Sequence, residues 1–132
     1  MRKAFFLSVF CALSCTAAMA QYSVKVVIDA MPPKHDGDAI YEMGNFNGWN
    51  PNDPGFQFAK DSSGKYALFF PSVPGDTYEL KLTRGSKETT ECAADGKDIP
   101  NRQVTVSSDT TFRITVAGWM DDFAKKAAAG GK

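Results

Sequence analysis

Cysteine is scarce in this chain. It occurs three times in 132 residues, and two of the three, Cys11 and Cys15, fall in the first twenty. Histidine occurs once, at His35. Positive charge has no excess, with 15 Lys and Arg against 15 Asp and Glu. A general nucleic-acid binder carries a basic surplus to neutralise phosphates, so this balance argues against one. No apolar run reaches the roughly 20 residues that a membrane-spanning helix requires. The sequence has no Gly-x-Ser-x-Gly elbow, Cys-x-x-Cys pair, phosphate-cradling glycine loop, EF-hand spacing or internal repeat. Glu88 and Glu91, three apart on an expected strand, face opposite ways and cannot flank one bond. No catalytic residue, metal ligand set or cofactor is expected.

What remains fits an ordinary folded domain. Hydrophobic residues make up 43% and charged residues 23%, which excludes a disordered chain. The length suits one domain of roughly 100–150 residues. Ten Phe, four Tyr and two Trp are enough to build a core and leave a few rings for other work.

Residues 1–20 read as an export signal. Met1-Arg2-Lys3 is a positive start, Ala4 to Leu13 is an apolar stretch of signal-core length, and Ala18-Met19-Ala20 offers small residues for cleavage before Gln21. The rival processing site, lipidation at Cys15, fits poorly with Ala12-Leu13-Ser14 before it. The expected product is secreted or periplasmic, with a net charge of about −2. Cys92 is then the single thiol, so no internal disulfide supports the fold.

The rest has the period of two that marks strands. Val24–Ile28, Tyr66–Phe70 (ending at Pro71), Thr77–Thr83 and Phe112–Val116 are the clearest runs. In Thr77–Thr83, Tyr78, Leu80 and Leu82 share the core face while Glu79, Lys81 and Thr83 share the other. Weaker strands are expected at Ala39–Met43, Phe56–Lys60, Lys87–Cys92 and Gln103–Val106. Gly, Pro, Asp and Ser clusters punctuate them. Seven or eight short strands with turns every 8–12 residues imply an all-β antiparallel sandwich over residues 21–119. Residues 120–132, rich in Ala, Lys and Gly, are expected to be a flexible tail. His35, in a Pro/Asp/Gly-rich turn beside Asp36 and Asp38, is expected to be a solvated and dispensable loop residue.

One segment is dense in turn formers and rings: Gly44-Asn45-Phe46-Asn47-Gly48-Trp49-Asn50-Pro51. Phe46 can anchor it in the core. Trp49 is then either a second core plug or a flat platform on which the C–H face of a sugar stacks while its hydroxyls meet amides and charged donors.

This segment, followed by Tyr78-Glu79-Leu80-Lys81-Leu82-Thr83-Arg84-Gly85-Ser86 and Asp98-Ile99-Pro100-Asn101-Arg102, resembles the starch- and glycogen-binding modules of carbohydrate-binding families 20 and 48. The likeness spans about residues 22–119. It implies an immunoglobulin-like sandwich that binds α-glucans, with Trp49 stacking and Lys81 and Asn101 hydrogen-bonding. The family's second tryptophan is expected just after Arg-Gly-Ser, where this chain has Lys87, a rim donor without a flat face. Tyr41, Phe56 and Phe58 are the rings that could replace it. The alternative function is a structural or protein-interaction domain that has lost sugar binding; an enzyme is the third reading. No protein partner is specified.

Overall fold

A computed structural model describes residues 20–123, and everything below concerns them. The expected signal segment and the end of the tail lie outside the described residues.

Nine strands form: β1 (Gln21–Ala30), β2 (Tyr41–Gly44), β3 (Ala59–Lys60), β4 (Tyr66–Pro74), β5 (Asp76–Thr83), β6 (Glu91–Cys92), β7 (Arg102–Val106), β8 (Thr110–Thr115) and β9 (Gly118–Trp119). They build a four-stranded sheet in the order β3-β4-β1-β8, a three-stranded sheet in the order β2-β5-β7, and a β6-β9 ribbon. Period-two alternation decides what faces inward. Val24, Val26 and Ile28 of β1 and Ile114 of β8 meet Leu80 and Leu82 of β5 and Val104 and Val106 of β7 in one core. Four strands over three, closed around alternating apolar residues, make an all-β sandwich.

Several elements differ from the sequence expectation for identifiable reasons. The sandwich is not wholly antiparallel, because β1 pairs parallel with β8. The strand containing Pro71 continues to Pro74. Pro71 cannot donate to a ladder, and the β1–β4 register slips between Tyr22 and Val24 opposite it, so a bulge absorbs the missing donor. Lys87–Cys92 divides into a 3-10 turn, Lys87–Thr89, and the short β6. Phe56 likewise closes a 3-10 turn, Pro54–Phe56, whose first N–H groups are capped by Asp53.

Glu91 on β6 carries a buried charge pair. Its fully buried carboxylate accepts hydrogen bonds from Leu82 N at 3.0 Å, Arg102 Nε at 2.9 Å and Arg102 Nη2 at 2.7 Å. Its side chain therefore clamps β5 to β7 while its backbone pairs with Trp119 in the β6–β9 ribbon. Breaking such a buried pair on one side typically costs about 3–5 kcal/mol. Cys92 is a buried free thiol. Trp119 on β9 is 1% exposed and is the large plug at this end of the core. Residues 120–123 are helical, and Phe123 lies so close to Gly96 that a Cβ there would meet its ring at 2.6 Å.

Candidate functional site

The segment from Gly44 to Pro51 is built by its own asparagines. Asn47 Oδ1 accepts from Gly44 N at 3.0 Å, and Asn47 Nδ2 donates to Glu42 O at 3.2 Å. Asn45 exchanges bonds with Glu79: its N–H donates to Glu79 O, and its Oδ1 accepts from Glu79 N. Gly44 is obligatory. A Cβ there would stand 2.2 Å from Glu79 O and 2.3 Å from the Phe46 ring. Phe46 packs inward as expected, with ring centroids 5.0 Å from Phe56 and 6.3 Å from Tyr78.

Trp49 is half-buried and outside the core cluster, so it is not the core plug; that role belongs to Trp119. Trp49 has φ 56°, and it follows Gly48 at φ 66°. A left-handed backbone costs a residue with a Cβ about 1–2 kcal/mol. It is held there by Trp49 N donating to Gly44 O at 2.9 Å. Strain of this kind concentrates where a side chain must be presented in one direction.

Both ends of the segment are tied to β5. Asn45 binds Glu79, and Pro51 O accepts from Thr83 Oγ1 at 2.5 Å. Lys81 lies between these ties on the same outer row. It is half-buried and makes no ion pair among the described residues. Leu80 pairs with Arg102. The same register carried one residue further sets Asn101 beside Lys81. Arg102 is fixed by Glu91 and by Thr115 O, which holds Asn101 at the strand entrance. Asn101 is exposed, and its Nδ2 donates to Glu79 Oε1 at 3.1 Å.

Thr83 connects this group to Lys87. The same Oγ1 that donates to Pro51 O accepts from Gly85 N at 3.1 Å, so one buried hydroxyl ties the Trp49 segment to the Arg84–Ser86 turn. Thr89 Oγ1 then accepts from the N–H groups of Arg84 and Ser86 and closes the turn that carries exposed Lys87. Trp49, Lys81, Asn101 and Lys87 thus belong to elements joined by hydrogen bonds or strand pairing. Of the three substitute rings, Phe58 is core and Phe56 stacks inward between Phe46 and Phe70. Only Tyr41 stays with the outer row. It pairs with Thr83, and its Cε1 lies 3.6 Å from where a Gly85 Cβ would be.

Sequence reasoning missed Thr83 and Glu79. Both belong to the outward set of an alternating strand, and polarity alone does not distinguish a pin from a solvated side chain. His35 also departs from expectation. It is half-buried at φ 64°, with Nε2 2.7 Å from Asp122 Oδ1 rather than free in solvent. His35, Asp121 and Asp122 bring ligand atoms within 4.8 Å of one another. Asp121, however, pairs with Arg84, whose side chain is almost wholly buried and stacks 5.3 Å over Trp119. Burial opposes charge on both partners, yet their mutual hydrogen bonds win, raising Arg84 and lowering Asp121 from their ordinary values. The acidic group serves to neutralise Arg84.

The fold is an all-β sandwich, and the segment that carries Trp49 is tied at both ends to β5, the strand that carries Lys81. The chain is similar to a segment of an alpha-amylase from Niallia circulans, at 39% identity over 83 residues, covering 62% of this chain and 6% of that protein. It is also similar to a segment of an amylopullulanase from Thermoanaerobacter thermohydrosulfuricus, at 31% identity over 105 residues, covering 74% of this chain and 7% of that protein. The chain therefore spans less than a tenth of either relative. Among solved structures, the glucoamylase of Hormoconis resinae aligns at a TM-score of 0.49 and 18% identity, over 77% of this chain and 18% of that one. No family model matches the chain.

Proposed function

We propose that this chain is an exported, non-catalytic module that binds α-glucans of the starch and glycogen type. The observation that carries the proposal is the left-handed Trp49, outside the core cluster, on a segment tied at both ends to the strand that carries Lys81. A tryptophan held left-handed by a glycine-rich, asparagine-built segment is costly for a mere loop residue. It is useful as a fixed stacking surface. The similarity to short segments of an alpha-amylase and an amylopullulanase supports an accessory role on such polymers. Tyr41, near the Lys87 turn, supplies the second ring edge.

One observation favours the alternative, a structural domain without sugar binding. The Asn101 amide is already engaged by Glu79, and Lys87 offers no ring. Affinity electrophoresis separates the two. The protein should be retarded in gels containing starch or glycogen but not in cellulose or polymer-free gels. Trp49→Ala should migrate as in the polymer-free gel. An unretarded parent protein would leave the structural reading.

A further inference from the structure

Strand β2 puts a charged residue at its core-facing position. Glu42 pairs with Leu82, on the core-facing side, while its neighbours Tyr41 and Met43 pair with Thr83 and Lys81 on the outer row. A carboxylate thus points between the sheets. Glu42 is 3% exposed, and its Oε2 has no hydrogen-bond partner among the described residues. It faces a cavity of about 190 Å³ between the sheets, lined by residues that include Phe46, Phe56, Phe70, Tyr78 and Val104. A dry cavity of roughly 150 Å³ already accommodates benzene. Ser72 and Pro74, both exposed, lie at its edge and give it a mouth where β4 hands over to β5.

We propose that this cavity is a second binding site, distinct from the outer face, for a small apolar amine whose ammonium group pairs with Glu42. Two independent features select a cation on an apolar body. The carboxylate lacks a counter-charge, since no Lys, Arg or His lines the cavity. The walls are aromatic, with Phe46 and Phe56 centroids 5.0 Å apart and Phe56 and Phe70 5.4 Å apart, and ring faces attract cations. An apolar molecule without a donor would leave the buried Oε2 unpaired, the costly outcome for a desolvated acceptor. A neutral alcohol would supply the hydrogen bond but not the charge. The site does not involve Trp49, Lys81 or Asn101, so it stands or falls apart from glucan binding.

The test uses benzylamine, benzyl alcohol and toluene, three probes of nearly equal size, titrated into the whole protein and followed by NMR shifts of Phe46, Tyr78 and Val104. Benzylamine should bind at least tenfold tighter than the other two. Glu42→Gln, which keeps the shape, should cost the amine at least tenfold and leave toluene unchanged, while Trp49→Ala should leave amine binding intact. Equal affinity for all three probes, an amine affinity indifferent to Glu42→Gln, or no binding by any probe would each overturn the proposal.

Discussion

Glu42→Gln should stabilise the protein in alkali and do almost nothing in acid. Burial pushes the Glu42 carboxyl from its ordinary 4.5 up to about 7. The unfolded chain releases this proton near 4.5, whereas the native state holds it until about 7. Between those values the native state binds more protons, so stability falls as pH rises through the window and the loss is complete above it. At about 1.4 kcal/mol per pH unit of separation, the loss amounts to about 3 kcal/mol. No other carboxylate, and no basic side chain, lines the cavity; Tyr78 is the one other titratable group there, and its hydroxyl donates outward to Pro74 O. Glutamine is uncharged throughout, so subtracting its pH profile from the parent's isolates Glu42 from every surface carboxylate. Chemical denaturation at pH 4 and pH 8 measures both. The two proteins should differ by under about 1 kcal/mol at pH 4. At pH 8 the variant should lead by about 3 kcal/mol, roughly 10 °C or more in Tm for a domain of this size. Parallel pH profiles would refute the reasoning and mean that Glu42 ionises as freely inside as outside.

Three further outcomes are expected. Trp49→Gly should be more stable than Trp49→Ala by about 1 kcal/mol in thermal unfolding, because only glycine relaxes at a left-handed φ, and both should lose most maltoheptaose affinity in titration calorimetry. Lys87→Trp should strengthen binding by roughly fivefold to tenfold, about 1 kcal/mol, by restoring a flat surface on the turn tied to Thr83; an unchanged affinity would dissociate that turn from the site. Thr83→Val should cost about 1–3 kcal/mol in denaturant unfolding, since it strands Pro51 O and Gly85 N together, and should weaken glucan retardation even though Thr83 touches no solvent.

Much of this fold was legible because alternation is a direct imprint of the pleat. β5 emerged with Tyr78, Leu80 and Leu82 inward, and β1, β7 and β8 were recognisable from their β-branched runs. Pro71 misled because its effect depends on the partner strand, which supplied a bulge that local sequence does not reveal. Lys87–Cys92 failed as one strand because Ser86 and Thr89 cap each other and close Lys87–Thr89 into a 3-10 turn, leaving only Glu91 and Cys92 to pair. β9 was too short to show a period. The segment around the candidate site was legible to the extent that its residues lie in compact motifs: Phe46 packs against the core as expected, and Trp49 stays outside the core cluster. Glu42 was visible in the same alternation, between Tyr41 and Met43. A glutamate is ordinarily assigned to water, so its inward position went unread until the register with Leu82 placed it.

The parallel pairing of β1 with β8 has a kinetic consequence. β1 is interior to its sheet, yet one of its two partners comes from the far end of the domain; Ser23 N–H donates to Asp109, 86 residues later. Contacts of such separation require loop closure before they yield any stabilisation, which places β-rich domains in the millisecond-to-second range of folding times. A chain emerging amino end first therefore carries an unfinished strand flank until nearly all of the domain has been made. The backbone edge of β1 that β8 will cover stays unpaired for that interval, and unpaired strand edges invite pairing with other chains.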